Sequence, residues 1–409
     1  MGLNFWLFRF SQVSAALGFS ASSIAIVWWV LNEYHKLIFV TYIIIPALVI
    51  TALSQPFVAP AGDRFSKKKL LVSGCIIQSL SYFAAAFILK SNNMNIILMM
   101  SIEIISAIGK VVFNAGSIGI LPHLVCKDKI SDGINIIDRI NSTISILGGV
   151  FGGFFVTLLG VPNSFFLYSI CLMISCFLCV SLKYKNYNTK GNKKWFDEVK
   201  SGFLYTIKNP VISGFFFFSL LLGLAFAPML IAFPYIIKQI NGLPAFFIGI
   251  LSASMGLGTI TGSLAYNTAL KKISKNIIVY ISSFIFFFSI ILVCLRKDVF
   301  SLFLCQFLIG ISRCWINVTV DTMLLLYLPE NLRTKVLSNM MFFSMINIPI
   351  AMVFSGFLMD YFGIYNFLGI LSIIFLIAAT ILILNTNIRI FLMASPEKAA
   401  LMLKTNNSK

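Results

Sequence analysis

Glu103, Lys110 and Asn114 occur in one long apolar stretch, at spacings of seven and then four residues. At about 100° per residue, a helix would bring the three side chains within about 40° of one another, with the two charges about 10 Å apart along its axis. A charge at the centre of a membrane span costs at least about 2.5–3.5 kcal/mol on insertion scales, so such residues face a cavity or a partner. Gln306, Arg313 and Asn317 repeat the stripe 203 residues later. Residue type then suggests the chemistry. A carboxyl such as Glu103 is neutral among apolar groups and ionised beside a cation, so its protonation can follow a rearrangement and carry a proton. Lys110 and Arg313 would each make a cavity they face positive, which favours a substrate bearing carboxylate or other anionic groups. The competing reading is a static ion pair that helps the chain fold.

The elements that must position these residues are membrane helices. Of the 409 residues 59% are hydrophobic and only 11% charged, and the mean hydropathy is +0.96. A soluble domain carries about a quarter charged residues. Apolar runs of about 20 residues suffice to cross a hydrocarbon core of about 30 Å as helices. Twelve such runs are expected, at 5–31, 38–61, 70–89, 94–121, 139–160, 163–183, 209–237, 245–270, 277–295, 299–321, 336–358 and 366–386. No water is available there to satisfy backbone groups, and the runs lack the alternating polarity of barrel strands, so the expected fold is all-α.

Basic residues orient the spans. With both termini cytoplasmic, 24 of the 31 Lys and Arg residues fall on the cytoplasmic side and five on the other, while Lys110 and Arg313 lie within spans. The net charge of +18 then sits where anionic lipid meets it, and needs no nucleic acid to explain it. Cys75, Cys171, Cys176, Cys179, Cys294, Cys305 and Cys314 fall within spans and Cys126 in a cytoplasmic loop, which reads as free thiols. Residues 2–31 are too long and lack the small-residue cleavage pattern of a signal peptide, and read as the first span.

The expected organisation is an N-terminal half (1–183), a polar cytoplasmic linker (184–208), a C-terminal half (209–387) and a cytoplasmic tail (388–409). Within the linker, residues 195–207 have the spacing of a short amphipathic surface helix. The halves repeat one another at the 203-residue offset: Lys68 and Lys69 map onto Lys271 and Lys272, and Gly153, Phe154 and Gly160 map onto Gly356, Phe357 and Gly363. A constant offset through a loop, a charged span and a glycine-rich span argues for two pseudo-symmetric six-helix halves.

The residues Ala59-Pro-Ala-Gly-Asp63-Arg64-Phe-Ser-Lys67-Lys68-Lys69 follow the second span. They resemble the Gly-x-x-x-Asp-Arg-x-Gly-Arg-Arg loop of the major facilitator superfamily, with Ala59 and Ser66 in place of glycines. The resemblance implies that Asp63, Arg64, Lys67 and Lys68 form a cytoplasmic latch between the halves. Gly148, Gly149, Gly152 and Gly153 in the fifth span are similar to that superfamily's antiporter signature, with Gly149 where a proline is expected, and suit close helix packing. The first span, with Phe10, Gln12, Ser14, Leu17 and Gly18, and the stretch from Phe113 to Pro122 resemble the bacterial drug and siderophore efflux branch. What this likeness implies is a monomeric transporter of a bacterial inner membrane, working by alternating access around a central cavity lined by the first, fourth, seventh and tenth spans. Its expected partners are a small amphiphilic or anionic substrate, protons and the lipid bilayer. Export is the expected direction, and uptake of a small anionic nutrient is the rival. An enzyme is not expected: His35 and His123 are the only histidines, and no Walker loop or His-Glu-x-x-His pattern occurs. Neither a cofactor nor a metal is implied.

Overall fold

A computed structural model describes residues 2–117, 120, 130–183, 204–327, 330–384 and 386–393. Among the described residues the regular structure is helical throughout. The helices are α1 (Leu3–Glu33), α2 (Leu37–Arg64), α3 (Lys67–Lys90) and α4 (Ile96–Ser117), then a run Ile130–Val180 that Gly160 divides into α5 (130–159) and α6 (161–180). After them come α7 (Pro210–Ile240), α8 (Phe246–Lys272), α9 (Lys275–Arg296), α10 (Val299–Tyr327), α11 (Glu330–Phe362), α12 (Ile364–Leu384) and a short α13 (Thr386–Met393). The described part of each of the twelve expected spans lies on one of α1–α12, and among the described residues eight helical segments are long and apolar enough to cross a membrane by length and composition alone, the stretch Leu147–Val180 through α5 and α6 counting as one of them.

Two helices start well before their apolar runs. Helix α5 begins at Ile130 and α11 at Glu330, each through charged residues. A helix satisfies its own backbone in water as well as in lipid, so its ends are not set by apolarity, whereas the sequence boundaries were. Residues 195–203 of the expected amphipathic helix lie outside the described residues. Asn209 caps α7, its side chain accepting from Val211 N at 3.0 Å and Ile212 N at 3.2 Å, with Pro210 at the first helical position. Helix α13 occupies the start of the expected tail, where Ile388 and Phe391 are buried and Phe391 meets Phe215 edge-on at 5.9 Å.

The turns carry the repeat at backbone level. Gly160 has φ 75° between α5 and α6, and Gly363 has φ 78° between α11 and α12. These are the two glycines that the 203-residue offset pairs, and both occupy a region L side chains rarely adopt. Left-handed residues also close the other hairpins that alternate with them: His35 and Gly242 after α1 and α7, and Asn92 and Lys297 after α3 and α9.

The chain forms two compact units, one of Met1–Asn192 with Ile231–Ala253 and one of Lys193–Leu230 with Ser254–Lys409. In the first, α1 lies along the α5–α6 run, α3 packs on α4 and α6, and α2 packs on α4. Phe5 and Phe8 of α1 bury against Leu71 of α3 and Cys179 of α6. In the second, α9 packs on α10 and α12, and the first part of α7 lies against α11, α12 and α13. Phe375 of α12 fills its centre, 4.5 Å from the ring of Phe286 and 5.8 Å from that of Phe218. There α8 and α10 meet at backbone distance, for a methyl on Gly258 would sit against the Phe307 carbonyl oxygen and one on Gly310 against that of Met255.

Candidate functional site

The helical spacing on α4 places Glu103 and Lys110 on nearly one face, but their axial separation lets each take a different neighbour. The hydroxyl of Tyr82 on α3 donates to Glu103 Oε1 at 2.8 Å. Tyr82 is 1% exposed. Its ring stacks on Phe165 at 5.7 Å and lies 4.5 Å from Tyr168, both on α6. Tyr168 donates to Gln78 Oε1 at 3.5 Å, and Gln78 donates back to Gly74 O at 3.1 Å. Glu103 is therefore held by a donor from α3 that is fixed by two aromatic rings.

Lys110 turns toward α1, where its Nζ lies 4.1 Å from the centroid of the Phe19 ring. Phe19 in turn meets Tyr168 edge-on at 6.4 Å. Glu103 and Lys110 do not form an ion pair: among the described residues the one pair within 4.0 Å is Arg296–Asp298 at 3.7 Å. That pair sits at the turn into α10, where the Ser301 side chain first, then the Ser301 N–H that donates to Asp298 and the Arg296 guanidinium beside it, hold the carboxyl below its usual range. The static Glu103–Lys110 pair weighed from sequence is thus not made.

In the second unit Arg313 repeats the arrangement. Its Cζ lies 4.2 Å from the centroid of Phe226, the last residue of the first helical part of α7. Pro228, which has no backbone N–H to donate, follows at the break. Phe226 follows Phe19 by 207 residues and Arg313 follows Lys110 by 203. Each half thus sets one intramembrane cation of its fourth helix on one phenylalanine of its first. Other cation–ring contacts, such as Lys90 on Phe166 and Lys297 on Tyr365, lie at helix ends.

The remaining residues of the two stripes diverge. Gln306 is buried with its Oε1 unpartnered, so the Tyr82–Glu103 contact has no copy in the second unit. Asn114 is half-buried and Asn317 exposed. Gln12 on α1 also buries an unpartnered Oε1. Arg9 is buried over the rings of Phe5 and Phe8 of its own helix.

Of the expected latch, Asp63 and Arg64 lie in the last turn of α2, and their side chains are outside the described residues. Lys67 is buried at the first position of α3. Lys68 donates from Nζ to Leu182 O at 2.9 Å, capping the end of α6 within its own unit.

All four expected glycines of α5 are buried. A methyl at Gly149 would stand 2.6 Å from Ser252 Cβ, and one at Gly153 2.7 Å from Ala245 O. Helix α5 therefore crosses the start of α8 at backbone contact, and Phe246 N donates to Thr157 Oγ1 at 2.9 Å beside the crossing. The end of α7 joins the same unit. A turn of π-helix at Ile236–Ile240 aims Lys238 and Gln239 at the last turn of α1. Lys238 Nζ donates to Trp28 O at 3.0 Å and Asn32 Oδ1 at 2.9 Å, 4.0 Å from the Trp28 ring, and Gln239 donates to Leu31 O at 2.5 Å.

Sequence reasoning missed Tyr82, Phe19, Phe226 and Lys238. For the two phenylalanines a signal exists: Leu17-Gly18-Phe19 and Leu224-Ala225-Phe226 match at an offset of 207.

The profile of a family described as transmembrane secretion effector matches residues 4–402. A staphyloferrin A transporter of Staphylococcus aureus (strain NCTC 8325 / PS 47) is 24% identical over 364 residues, covering 87% of this chain and 90% of that protein. Among solved structures, the nucleoside transporter NupG superposes with a TM-score of 0.74 at 14% identity, over 93% of this chain and 100% of that one. A bacterial homologue of the human lysosomal transporter Spinster gives 0.72 at 11% identity, over 94% and 97% of the respective chains. At such identities the structures show a shared fold.

Proposed function

We infer that this chain, which belongs to the transmembrane secretion effector family of major facilitator transporters, exports a small anionic or amphiphilic compound by alternating access, driven by protons. It is a multi-pass membrane transporter and not an enzyme. One observation carries the finer reading. Lys110 and Arg313 are intramembrane cations, one in each half, and each is set against an aromatic ring with no carboxylate in ion-pair range among the described residues. A desolvated cation with no carboxylate in contact is a ready binding group for an anion. The similarity to a staphyloferrin A transporter supports a natural product or siderophore as the cargo class. Glu103 is the group we assign to the proton, since no other carboxylate occurs deep within an expected span. The glycine crossing of α5 and α8 supports the antiport direction, and the basic loops support an inner-membrane location with cytoplasmic termini.

The test uses inverted membrane vesicles, in which export appears as accumulation under an imposed pH gradient. Staphyloferrin A and citrate serve as anionic probes. Lys110→Met and Arg313→Met should each abolish accumulation while the protein level in the membrane is unchanged. Full activity in both variants, or accumulation only in right-side-out vesicles, would overturn the reading.

A further inference from the structure

We propose that Phe19 and Phe226 are positioning residues that hold the two intramembrane cations in place of counter-ions and present each to the anionic group of the substrate. This rests on Lys110 and Arg313 being the anion-binding groups. The geometry is the same in each half: Nζ of Lys110 is 4.1 Å from one ring centroid and Cζ of Arg313 is 4.2 Å from the other. The sequence repeat relates the two pairs, with matching Leu-Gly-Phe and Leu-Ala-Phe segments on α1 and α7.

The physical argument turns on what a ring offers that a carboxylate does not. A π face attracts a cation through its quadrupole and carries no net charge, so the cation keeps its full charge for a ligand. A carboxylate in the same place would neutralise the cation, and substrate would have to displace it. A leucine would leave the long Lys or Arg side chain free among its rotamers, and ordering it would then be charged against binding. Phe19 is 42% exposed, so its contact ranks between the surface and the desolvated case. The expected loss of anion affinity on removing one ring is about threefold to thirtyfold.

The test is a double-mutant cycle on the full chain, purified into lipid nanodiscs and reconstituted into vesicles. Without substrate, Phe19→Leu should lower the thermal midpoint by about 1–2 °C, and this effect should vanish when Lys110 is already Met. With citrate as the probe, Phe19→Leu should raise KM about threefold to thirtyfold with little change in the maximal rate. Phe19→Trp and Phe19→Tyr should keep or improve on the parent, because their π faces bind cations as well as that of Phe or better. Phe226→Leu with Arg313→Met should behave in the same way. Additive midpoints in the cycle, or Leu performing as well as Phe in KM, would overturn the proposal. Failure of citrate to bind the parent chain counts against the anion reading itself, and the midpoint cycle then still decides whether the rings hold the cations.

Discussion

A methyl added at Gly249 tests the α5–α8 crossing directly, because it would lie 2.3 Å from the carbonyl oxygen of Gly149 and 3.1 Å from its carbon. Both are backbone atoms of a helix and cannot swing aside. Ordinary contact begins at 3.4 Å, so Gly249→Ala must part the two helices by about 1 Å locally. Parting them also draws Ala245 from Gly153 and stretches the bond from Phe246 N to Thr157. Overpacking of this kind costs about 1–3 kcal/mol, which at 1.4 kcal/mol per decade shifts the closed and parted populations about fivefold to 150-fold. Ala245 is 1% exposed, so Ala245→Cys in a background without native cysteines reports the change. Its labelling in membranes by an impermeant thiol reagent should accelerate by about that factor when Gly249→Ala is added. Gly369→Ala is the control, since its methyl meets nothing closer than 3.9 Å. Unchanged labelling in a normally melting Gly249→Ala protein would refute the crossing.

Glu103→Gln should abolish accumulation driven by a pH gradient while gradient-free exchange of substrate survives, as both cations remain; undiminished accumulation would move the coupling proton elsewhere. Tyr82→Phe deletes the 2.8 Å donor to Glu103 and leaves its ring packing intact, so coupled accumulation should fall by about tenfold or more with membrane level preserved. A fully coupled Tyr82→Phe protein would show that the hydroxyl only fills space. Lys238→Met removes two hydrogen bonds and the Trp28 contact; amide exchange over 236–240 should quicken by about tenfold, and no change would mean that the π-turn holds itself.

What was legible in the sequence was what costs free energy to place in lipid. Glu103, Lys110 and Arg313 stand out in apolar spans because a charge there needs a reason, and Gly160 and Gly363 could be paired across the halves because their spacing matched the charged stripe. The partners of those residues were not legible. Tyr82 and Phe19 are aromatic residues among 41 phenylalanines and 13 tyrosines, and nothing in composition distinguishes a ring that receives a cation from one that fills a core. Lys238 is one of the five basic residues on the side opposite the cytoplasm, which marks orientation and no contact, and the π-turn aims it at α1.

The offset itself explains the missed rings. The basic residues before the third and ninth spans, and the fourth and tenth spans, align at 203 residues, but Phe19 and Phe226 align at 207, as do His35 and Gly242 at the first hairpins. At the second hairpins, Asn92 and Lys297 differ by 205. The register therefore drifts by four residues between the first helix and the last hairpin, about one helical turn. A single offset necessarily loses the first helices, although a one-turn shift returns side chains to nearly the same face. The repeated ring–cation pairs lie at opposite ends of that drift, with Phe19 and Phe226 in the 207 register and Lys110 and Arg313 in the 203 register. Two halves that had diverged in loop length while keeping this contact must have kept it through the side chains, and the 207 register puts the matching phenylalanines where the cations of the 203 register require them.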